Sequence, residues 1–294
     1  MMPRLCIIIV NYNTGLLLSR CLDSIRAQKE SDCRVIVVDN ASVDESLELI
    51  RSGYPEVRLI ANDRNLGFAA ANNQAIRETE ADLLFFLNPD TELQPGCLAE
   101  IWEFMAAHTE VGMAGPAIVN SDGSHHPTVE DSYPGSHYTC GEVDDLPGDI
   151  AWILGAALVA PRSVIIEVGG FDERFFLYAE DIDLCLEIRK RNWSLGYIPN
   201  AKVLHLEGQS EKNAPFADVM ERKIRAELIF FKKHYRSETV AKIRRARLLQ
   251  AWWRILLLRA SGLFLKAQET HRRKQIKYAV IARLYGRKSI SEDR

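Results

Sequence analysis

Short apolar runs alternate with stretches of helical periodicity over about the first ninety residues of the chain. The runs are bounded by turn residues, which is typical of buried parallel strands; they are Leu5–Val10, Val35–Val38, Val57–Ile60 and Leu83–Leu87. Helices are predicted around Leu17–Ile25, after a capping box formed by Ser42 and Glu45, and over Gly67–Glu78. This alternation predicts a doubly wound α/β sheet with right-handed crossovers.

Asn or Asp follows each of the four predicted strands. The segments are Asn11-Tyr12-Asn13, Asp39-Asn40, Asn62-Asp63-Arg64-Asn65 and Asn88-Pro89-Asp90. These residues are common in turns, but open α/β sheets bind ligands beyond the carboxyl ends of their strands. Their recurrence at four successive ends favours a polar ligand site. The first strand is not followed by G-x-G-x-x-G or a Walker lysine, so the sequence disfavours a dinucleotide or P-loop fold and makes a divalent metal the candidate partner for phosphates.

The second half begins with an irregular segment, 120–149, which is typical of a binding loop. Its histidines match no common zinc spacing, so we assign no metal there. Order returns with a strand over Trp152–Ala160, a short helix over Pro161–Val168 and a helix from Ala179 to about Arg191. A last strand ends at His205.

Three carboxylates stand at the start of that second helix, close to aromatic residues. They are Glu180, Asp181 and Asp183, preceded by Phe175, Phe176 and Tyr178. Acidic residues commonly begin helices because they interact favourably with the helix dipole. Burial among aromatic rings would also raise the pKa of a carboxylate toward that of a useful base.

Seven stretches, in order, resemble the motifs of family 2 glycosyltransferases of the GT-A fold, closest to the rhamnosyltransferase-like branch of cell-envelope polysaccharide synthesis. They are Ile9–Asn13, Val37–Ser42, Asn65–Asn72, Phe86–Asp90, Val168–Glu173, Tyr178–Cys185 and Val203–His205. The resemblance implies a GT-A nucleotide-diphospho-sugar transferase fold, a doubly wound mixed sheet, with a basic C-terminal helical extension. It implies a catalytic domain over 1–219, with a nucleotide-binding half, 1–115, and an acceptor and catalytic half, 116–219. The extension is then 220–294.

The resemblance also implies roles for individual residues. The donor nucleotide and sugar would be bound by Asn11, Tyr12, Asp39, Arg64, Asn65, Gly67 and Asn88. Asn88-Pro89-Asp90 stands where such enzymes carry an Asp-x-Asp metal motif, but its first carboxylate is an amide. Asp90 and His205 would then bind Mn²⁺ or Mg²⁺ together with the donor diphosphate, and the imidazole tilts the choice toward Mn²⁺.

Asp181 matches the position of the catalytic base of the resembled family. It would take the proton of an acceptor hydroxyl as that oxygen attacks the anomeric carbon, so that a single displacement inverts the configuration. The candidates for the acceptor site are Trp152, Tyr178, Glu180 and Asp183. Core packing is an equally good interpretation of Trp152.

The charge distribution separates the C-terminal segment from the rest. The chain has a net charge of −3, yet residues 221–294 hold 21 Lys and Arg against 6 Asp and Glu. Within it, Leu249, Trp252, Trp253 and Leu256 share one helical face, and Arg244, Arg247 and Arg254 lie on the other. This pattern is typical of an in-plane membrane anchor, which would place a peripheral membrane contact in 240–275. A helical pair that packs on the domain or forms a homodimer is the open alternative.

The sequence therefore predicts an inverting glycosyltransferase, located in the cytoplasm and at the inner face of the cell membrane. Its donor would be a nucleotide-diphosphate sugar, with dTDP-rhamnose preferred over UDP-sugars, and its acceptor a lipid-linked glycan or a polysaccharide. A non-catalytic nucleotide-sugar or glycan-binding protein on the same fold is the alternative. No nucleic-acid-binding motif is found, and the first loop lacks the Gly-rich basic character of a nucleotidyltransferase.

Overall fold

The computed structural model describes residues 4–28, 32–206, 214–262 and 269–286. The chain divides into two compact units. The first contains Met1–Tyr133, Asp145–Phe176 and Glu180–Lys212, and the second contains Pro134–Asp144, Leu177–Ala179 and Asn213–Arg294.

The first unit is built on a mixed sheet of eight strands. They are β1 (Leu5–Asn11), β2 (Cys33–Asp39), β3 (Arg58–Ala61), β4 (Leu83–Leu87), β5 (Thr91–Leu93), β6 (Val111–Val119), β9 (Ala157–Pro161) and β10 (Ser194–His205), in the order β3-β2-β1-β4-β9-β6-β10-β5. The first four strands are parallel, whereas β9 and β5 run antiparallel to their neighbours. β7 (Val129–Glu130) and β8 (Trp152–Ile153) form a separate ribbon. The predicted mixed α/β sheet is confirmed.

Helices cover both faces of this sheet. They are α1 (Gly15–Arg26), α2 (Ser46–Gly53), α3 (Phe68–Arg77), α4 (Cys97–Ala107), α5 (Arg162–Val168) and α6 (Glu180–Lys190). Alternate residues of β1 enter two different cores, with Ile7 on one side and Ile8 on the other, and both are wholly buried. Burying such a side chain contributes about 1.5–3 kcal/mol. Burial on both faces explains why the strands read as continuous apolar runs.

Two local predictions for the first unit were wrong. Ser42 and Glu45 form no capping box: the Ser42 hydroxyl accepts hydrogen bonds from the Asn13 backbone and the Asn11 side chain, and α2 begins at Ser46. The hydroxyl is used by a neighbouring strand end instead of by the helix.

The predicted continuous strand over Trp152–Ala160 is divided. β8 ends at Ile153 and β9 begins at Ala157. The chain turns between them, and the Gly155 backbone amide donates a hydrogen bond to the carboxylate of Asp181.

The second unit contains three helices: α7 (Phe216–His234), α8 (Ser237–Gly262) and α9 (Glu269–Gly286). α7 buries Leu228 and Phe231. Arg244 of α8 donates hydrogen bonds to the carbonyl of Tyr285 near the end of α9, so these two helices pack antiparallel. Of the helices that the structure describes, none combines the length and apolarity needed to cross a bilayer. All six cysteines are free.

Candidate active site

The carboxyl ends of the parallel strands bring Asn11 and Asp39 together. The register of β1 and β2 places these residues opposite each other, and the Asn11 amide donates to Oδ1 of Asp39 over 2.8 Å. Both side chains are wholly buried. Their remaining polar atoms are also used: Thr14 donates to Oδ1 of Asn11, and the Ser42 backbone donates to Oδ2 of Asp39. The pair therefore stiffens this edge of the sheet, and the half-exposed ring of Tyr12 lies next to it along the chain.

Asn40 connects the ends of β2 and β3. Its side-chain oxygen accepts hydrogen bonds from the Asn62 amide and the Leu66 backbone, and its amide donates to the carbonyl of Gly67. Sequence reasoning noted the position of Asn40 at a strand end but assigned it no role. A fixed 62–67 loop is consistent with the close backbone approach that phosphate oxygens require.

Gly67 occupies a position that only glycine tolerates. Its φ of +88° lies in the left-handed region, and a Cβ there would come within 2.7 Å of the carbonyl oxygen of Phe176. The Asn65 side chain accepts a hydrogen bond from the Gly67 amide over 2.9 Å, and the Arg64 side chain is exposed in the same loop. These three predicted donor residues therefore lie in one ordered segment.

Asp90 and His205, the two predicted metal ligands, meet across an antiparallel ladder. The pairing of β5 with β10 places His205 opposite Thr91, and Nε2 of His205 lies 3.3 Å from Oδ1 of Asp90. Both side chains are buried, and Nδ1 of His205 has no hydrogen-bond partner. Nε2 of His205 and Oδ1 of Asp90 are close enough to bind one ion together, so they form a suitable pair of donors for a divalent cation.

This pair is smaller than a complete metal site. Among residues 4–28, 32–206, 214–262 and 269–286, the structure contains no cluster of three His, Cys, Asp or Glu side chains suited to a metal ion. A cation bound here would need further oxygens. Donor phosphates supply such oxygens in many enzymes that act on nucleotides.

Asp181 is held by two backbone amides at the start of α6. Gly155 donates to Oδ2 over 2.8 Å, and Ile182 donates to Oδ1 over 2.9 Å. The neighbour of Gly155, Ala156, accepts a hydrogen bond from the Asn88 backbone over 2.9 Å. The turn at 154–156 therefore connects the 88–90 triplet to Asp181. Sequence reasoning missed Gly155, whose signal was a lone glycine inside an apolar run.

Burial and backbone amides act in opposite directions on the pKa of Asp181. Loss of solvent raises the pKa of Asp181, although the Ile182 and Gly155 amides act in the opposite direction by stabilising the anion. Burial, followed by the charge of Asp181, raises the pKa of Glu180 to about 8. Oε2 of Glu180 is buried with no hydrogen-bond partner. Asp181 keeps partial exposure, whereas Glu180 and Asp183 are buried on the same helix.

The other two candidates for the acceptor site differ in their surroundings. Trp152 is half-buried against the core of the first unit, and its indole donates to the carbonyl of Ser132. Tyr178 belongs to the second unit, where the Lys223 ammonium lies 4.7 Å from the centre of its ring. Tyr178 and Ala179 have φ values of +76° and +63°, which are sparsely populated for residues with side chains. Unusual backbone therefore directly precedes the helix that carries Asp181.

Asn73 fixes the segment upstream of this backbone. Its side-chain oxygen accepts from the Phe171 amide over 2.9 Å, and its amide donates to the Phe171 carbonyl over 2.8 Å. Gly170 has a φ of +77°, and a Cβ on it would lie 2.6 Å from the Asn73 oxygen. Sequence reasoning missed Asn73, although it directly follows one of the resembled motifs.

Two family patterns match the chain. Glycosyl transferase family 2 matches residues 6–151, and glycosyl transferase family group 2 matches residues 83–280.

Curated relatives share about a quarter of the aligned positions. An N-acetylglucosaminyl-diphospho-decaprenol L-rhamnosyltransferase from Mycobacterium tuberculosis is 28% identical over 239 residues, which cover 71% of this chain and 78% of the relative. The low-salt glycan biosynthesis hexosyltransferase Agl10 from Haloferax volcanii is 26% identical over 218 residues, which cover 70% of this chain and 68% of the relative. Both relatives are named as transferases of sugars.

Solved structures share the fold at lower sequence identity. The mannosyltransferase PcManGT from Pyrobaculum calidifontis, in complex with GDP-Man and Mn²⁺, superposes with a TM-score of 0.60 at 17% identity, over 96% of this chain and 85% of the other. GalNAc-T7 with UDP, GalNAc and Mn²⁺ gives a TM-score of 0.59 at 14% identity, over 97% of this chain and 56% of the other. These neighbours are GT-A glycosyltransferases, which confirms the predicted fold.

The family matches, the relatives and the fold agree with one another. They favour an enzyme over the non-catalytic binding protein considered from the sequence. The chain belongs to glycosyl transferase family group 2 and is a glycosyltransferase with the GT-A fold.

Proposed function

We propose that this enzyme is an inverting, metal-dependent transferase that moves a rhamnosyl group from a nucleotide-diphosphate sugar to a hydroxyl of a lipid-linked or polysaccharide glycan. The observation that carries the proposal is the fixed carboxylate of Asp181, connected through the 154–156 turn to the Asn88-Pro89-Asp90 segment. A base held next to the donor-binding edge suits a single displacement. The catalytic residues then all fall within 1–219, and 220–294 forms an extension.

In this mechanism, Asp181 accepts the proton of the acceptor hydroxyl while its oxygen forms a bond to the anomeric carbon. The bond between that carbon and the donor diphosphate breaks at the same time, and the nucleoside diphosphate leaves. The two backbone amides on Asp181 fix its orientation, and the raised pKa makes it a stronger base than an exposed aspartate. Attack from the face opposite the leaving group inverts the configuration.

Asn11, Tyr12 and Asp39 are the proposed contacts for the nucleotide, and Arg64, Asn65, Gly67 and Asn88 for the diphosphate and sugar. Asp90 and His205 would hold Mn²⁺ or Mg²⁺ with the donor diphosphate, and the cation would offset negative charge on the departing diphosphate. Trp152, Tyr178, Glu180 and Asp183 are the proposed acceptor-side residues. Mn²⁺ in two structures of the same fold supports the cation.

The rhamnosyl group and the lipid-linked acceptor rest on one relative. The Mycobacterium tuberculosis enzyme is named for an L-rhamnosyl transfer to N-acetylglucosaminyl-diphospho-decaprenol. A panel of dTDP-rhamnose, UDP-sugars and GDP-mannose, assayed for nucleotide release with Mn²⁺ or with Mg²⁺, tests the choice. We expect release from dTDP-rhamnose to be the fastest; faster release from another donor would contradict the rhamnosyl assignment.

The role of Asp181 is tested by Asp181→Asn. The amide cannot accept the acceptor proton, so we expect transfer to fall by roughly 10²- to 10⁴-fold while donor binding, measured by calorimetry, is retained. Glu187→Gln on the same helix removes a carboxylate that forms ion pairs with Lys190 and Arg191, and it should leave transfer within about twofold. Transfer by Asp181→Asn at the control rate would eliminate the proposed base.

A further inference from the structure

Helix α8 presents an apolar stripe to solvent. Leu249, Trp252, Trp253 and Leu256 are 64%, 58%, 61% and 60% exposed. Their spacing of three and four residues places them on one face of the helix. Such a row of large apolar side chains on a surface marks an interaction site.

The opposite face of α8 is turned inward although it carries arginines. Arg247 forms an ion pair with Glu227 over 3.2 Å, and Arg244 donates to the carbonyl of Tyr285 over 3.1 Å. Ala251, one turn after Arg247, is wholly buried. The same face also buries Ile243 completely. Buried Ile243 and Ala251, together with the partners of Arg244 and Arg247, therefore orient the apolar stripe outward.

Positive charge surrounds this stripe. Lys242, Arg245 and Arg259 of α8 are exposed, and the antiparallel packing brings the N-terminal half of α9, with exposed Arg272, Arg273, Lys274 and Lys277, beside the C-terminal half of α8. Residues 240–286 contain twelve Lys and Arg, and Glu269 is their single acidic residue. The stripe therefore needs a partner that is apolar inside and negatively charged at its surface.

We propose that this face of α8, defined by Leu249, Trp252, Trp253 and Leu256, docks on a bilayer that contains anionic lipids. The apolar side chains enter the boundary between headgroups and acyl chains, where tryptophan is most favourable. The surrounding Lys and Arg side chains contact lipid phosphates. A second copy of the chain would bring an equally basic surface to the contact, so charge favours the bilayer over a dimer.

Docking in this form goes beyond sugar transfer, and it can be measured without any donor or acceptor. Full-length protein is mixed with vesicles of phosphatidylcholine and phosphatidylglycerol in equal parts, or of phosphatidylcholine alone, and separated by flotation. We expect binding to the anionic vesicles to be at least about tenfold stronger, and to weaken as salt rises from about 0.1 M to about 0.5 M.

The variant Trp252→Ser/Trp253→Ser removes the centre of the stripe. Because both side chains are exposed, we expect an unchanged melting temperature and roughly tenfold weaker binding to anionic vesicles. Ile166→Ser, at a 52% exposed position on α5, is the matched control and should bind as the wild type does. Arg245→Gln/Arg259→Gln should weaken binding to anionic vesicles, whereas Arg51→Gln/Arg77→Gln, at exposed arginines of the first unit, should not.

Three outcomes would overturn the proposal. They are equal flotation of the wild type with both vesicle types, wild-type binding by the Trp252→Ser/Trp253→Ser variant, and a dimer in light scattering that this variant converts to a monomer. The last outcome would assign the stripe to a contact between copies. A shift of tryptophan emission to shorter wavelength on adding anionic vesicles, lost in the Trp252→Ser/Trp253→Ser variant, would give independent support.

Discussion

Polar side chains are buried at the sheet edge of the first unit, whereas large apolar side chains are exposed on helix α8 of the second unit. At the sheet edge, Asn11 and Asp39 are wholly buried and satisfy each other. On α8, Trp252 and Trp253 are exposed although they are large and apolar. The difference teaches that burial follows the availability of partners, not the character of the side chain alone.

Each arrangement has a different consequence for function. Buried polar groups with fixed partners keep the backbone in one position, which an active site requires. An exposed apolar stripe contributes little to folding and remains available to an outside partner. We therefore expect substitutions at the sheet edge to affect catalysis or stability, and substitutions on the α8 stripe to affect binding to a surface.

Gly155→Ala tests how little space surrounds Asp181, and its effect should be larger than the effects of the substitutions at Asn11 and Glu180. The added Cβ would lie 3.0 Å from the Asp181 carboxylate, so Asp181 must shift. Because small misplacements of a catalytic group are costly, we expect kcat to fall roughly ten- to a hundredfold with less change in KM. Gly53→Ala, where a Cβ meets nothing within 4 Å, is the control. Equal rates for the two variants would show that the Gly155 contact does not position Asp181.

Asn11→Ala compares a buried polar residue with the exposed apolar residue Leu249. The substitution leaves Oδ1 of Asp39 and the Thr14 hydroxyl without their partner, so we expect the free energy of unfolding to fall by about 1–3 kcal/mol. Leu249→Ser should change it by less than about 0.5 kcal/mol. Urea unfolding measures both. A larger loss for Leu249→Ser would reverse the comparison.

The pH dependence of stability is the third comparison, and its expected effect within one pH unit is the smallest of the three. Burial in the folded protein raises the pKa of Glu180 from 4.5 to about 8. Between these pH values the unfolded protein has lost the Glu180 proton, whereas the folded protein still holds it. The free energy of unfolding therefore decreases as the pH rises from about 4.5 to 8. Glu180→Gln removes this loss. Its unfolding free energy should rise relative to wild type between pH 5 and 8, by at most about 1.4 kcal/mol per pH unit.

Glu103→Gln, at an exposed position on α4, is the control for that measurement. For each variant, the difference in unfolding free energy from wild type is followed against pH. If the slope for Glu180→Gln is no greater than the slope for Glu103→Gln, the folded protein does not keep a proton on Glu180, and the prediction is wrong. A steeper slope would show that the site accumulates acidic groups at the expense of stability.

Local patterns predicted much of the fold. β4 spans the predicted Leu83–Leu87, and α3 lies within the predicted Gly67–Glu78, because apolar periodicity depends only on neighbouring residues. The capping box failed because Ser42 forms its hydrogen bonds with Asn11 and Asn13, which are about thirty positions away in the sequence. Likewise, the strand predicted over Trp152–Ala160 is interrupted where Gly155 meets Asp181.

The sequence by itself determined the alternation of strands and helices over about the first ninety residues, the polar strand ends, the motifs of the family and the basic character of the C-terminal segment. Tertiary structure decided which of these residues meet: Asp90 faces His205 only because β5 pairs antiparallel with β10. It also decided which face of α8 is exposed. An amphipathic pattern separates two faces but does not say which is inside. In the structure the inner face is the one with Arg244 and Arg247, which have partners at Tyr285 and Glu227, and with buried Ile243 and Ala251.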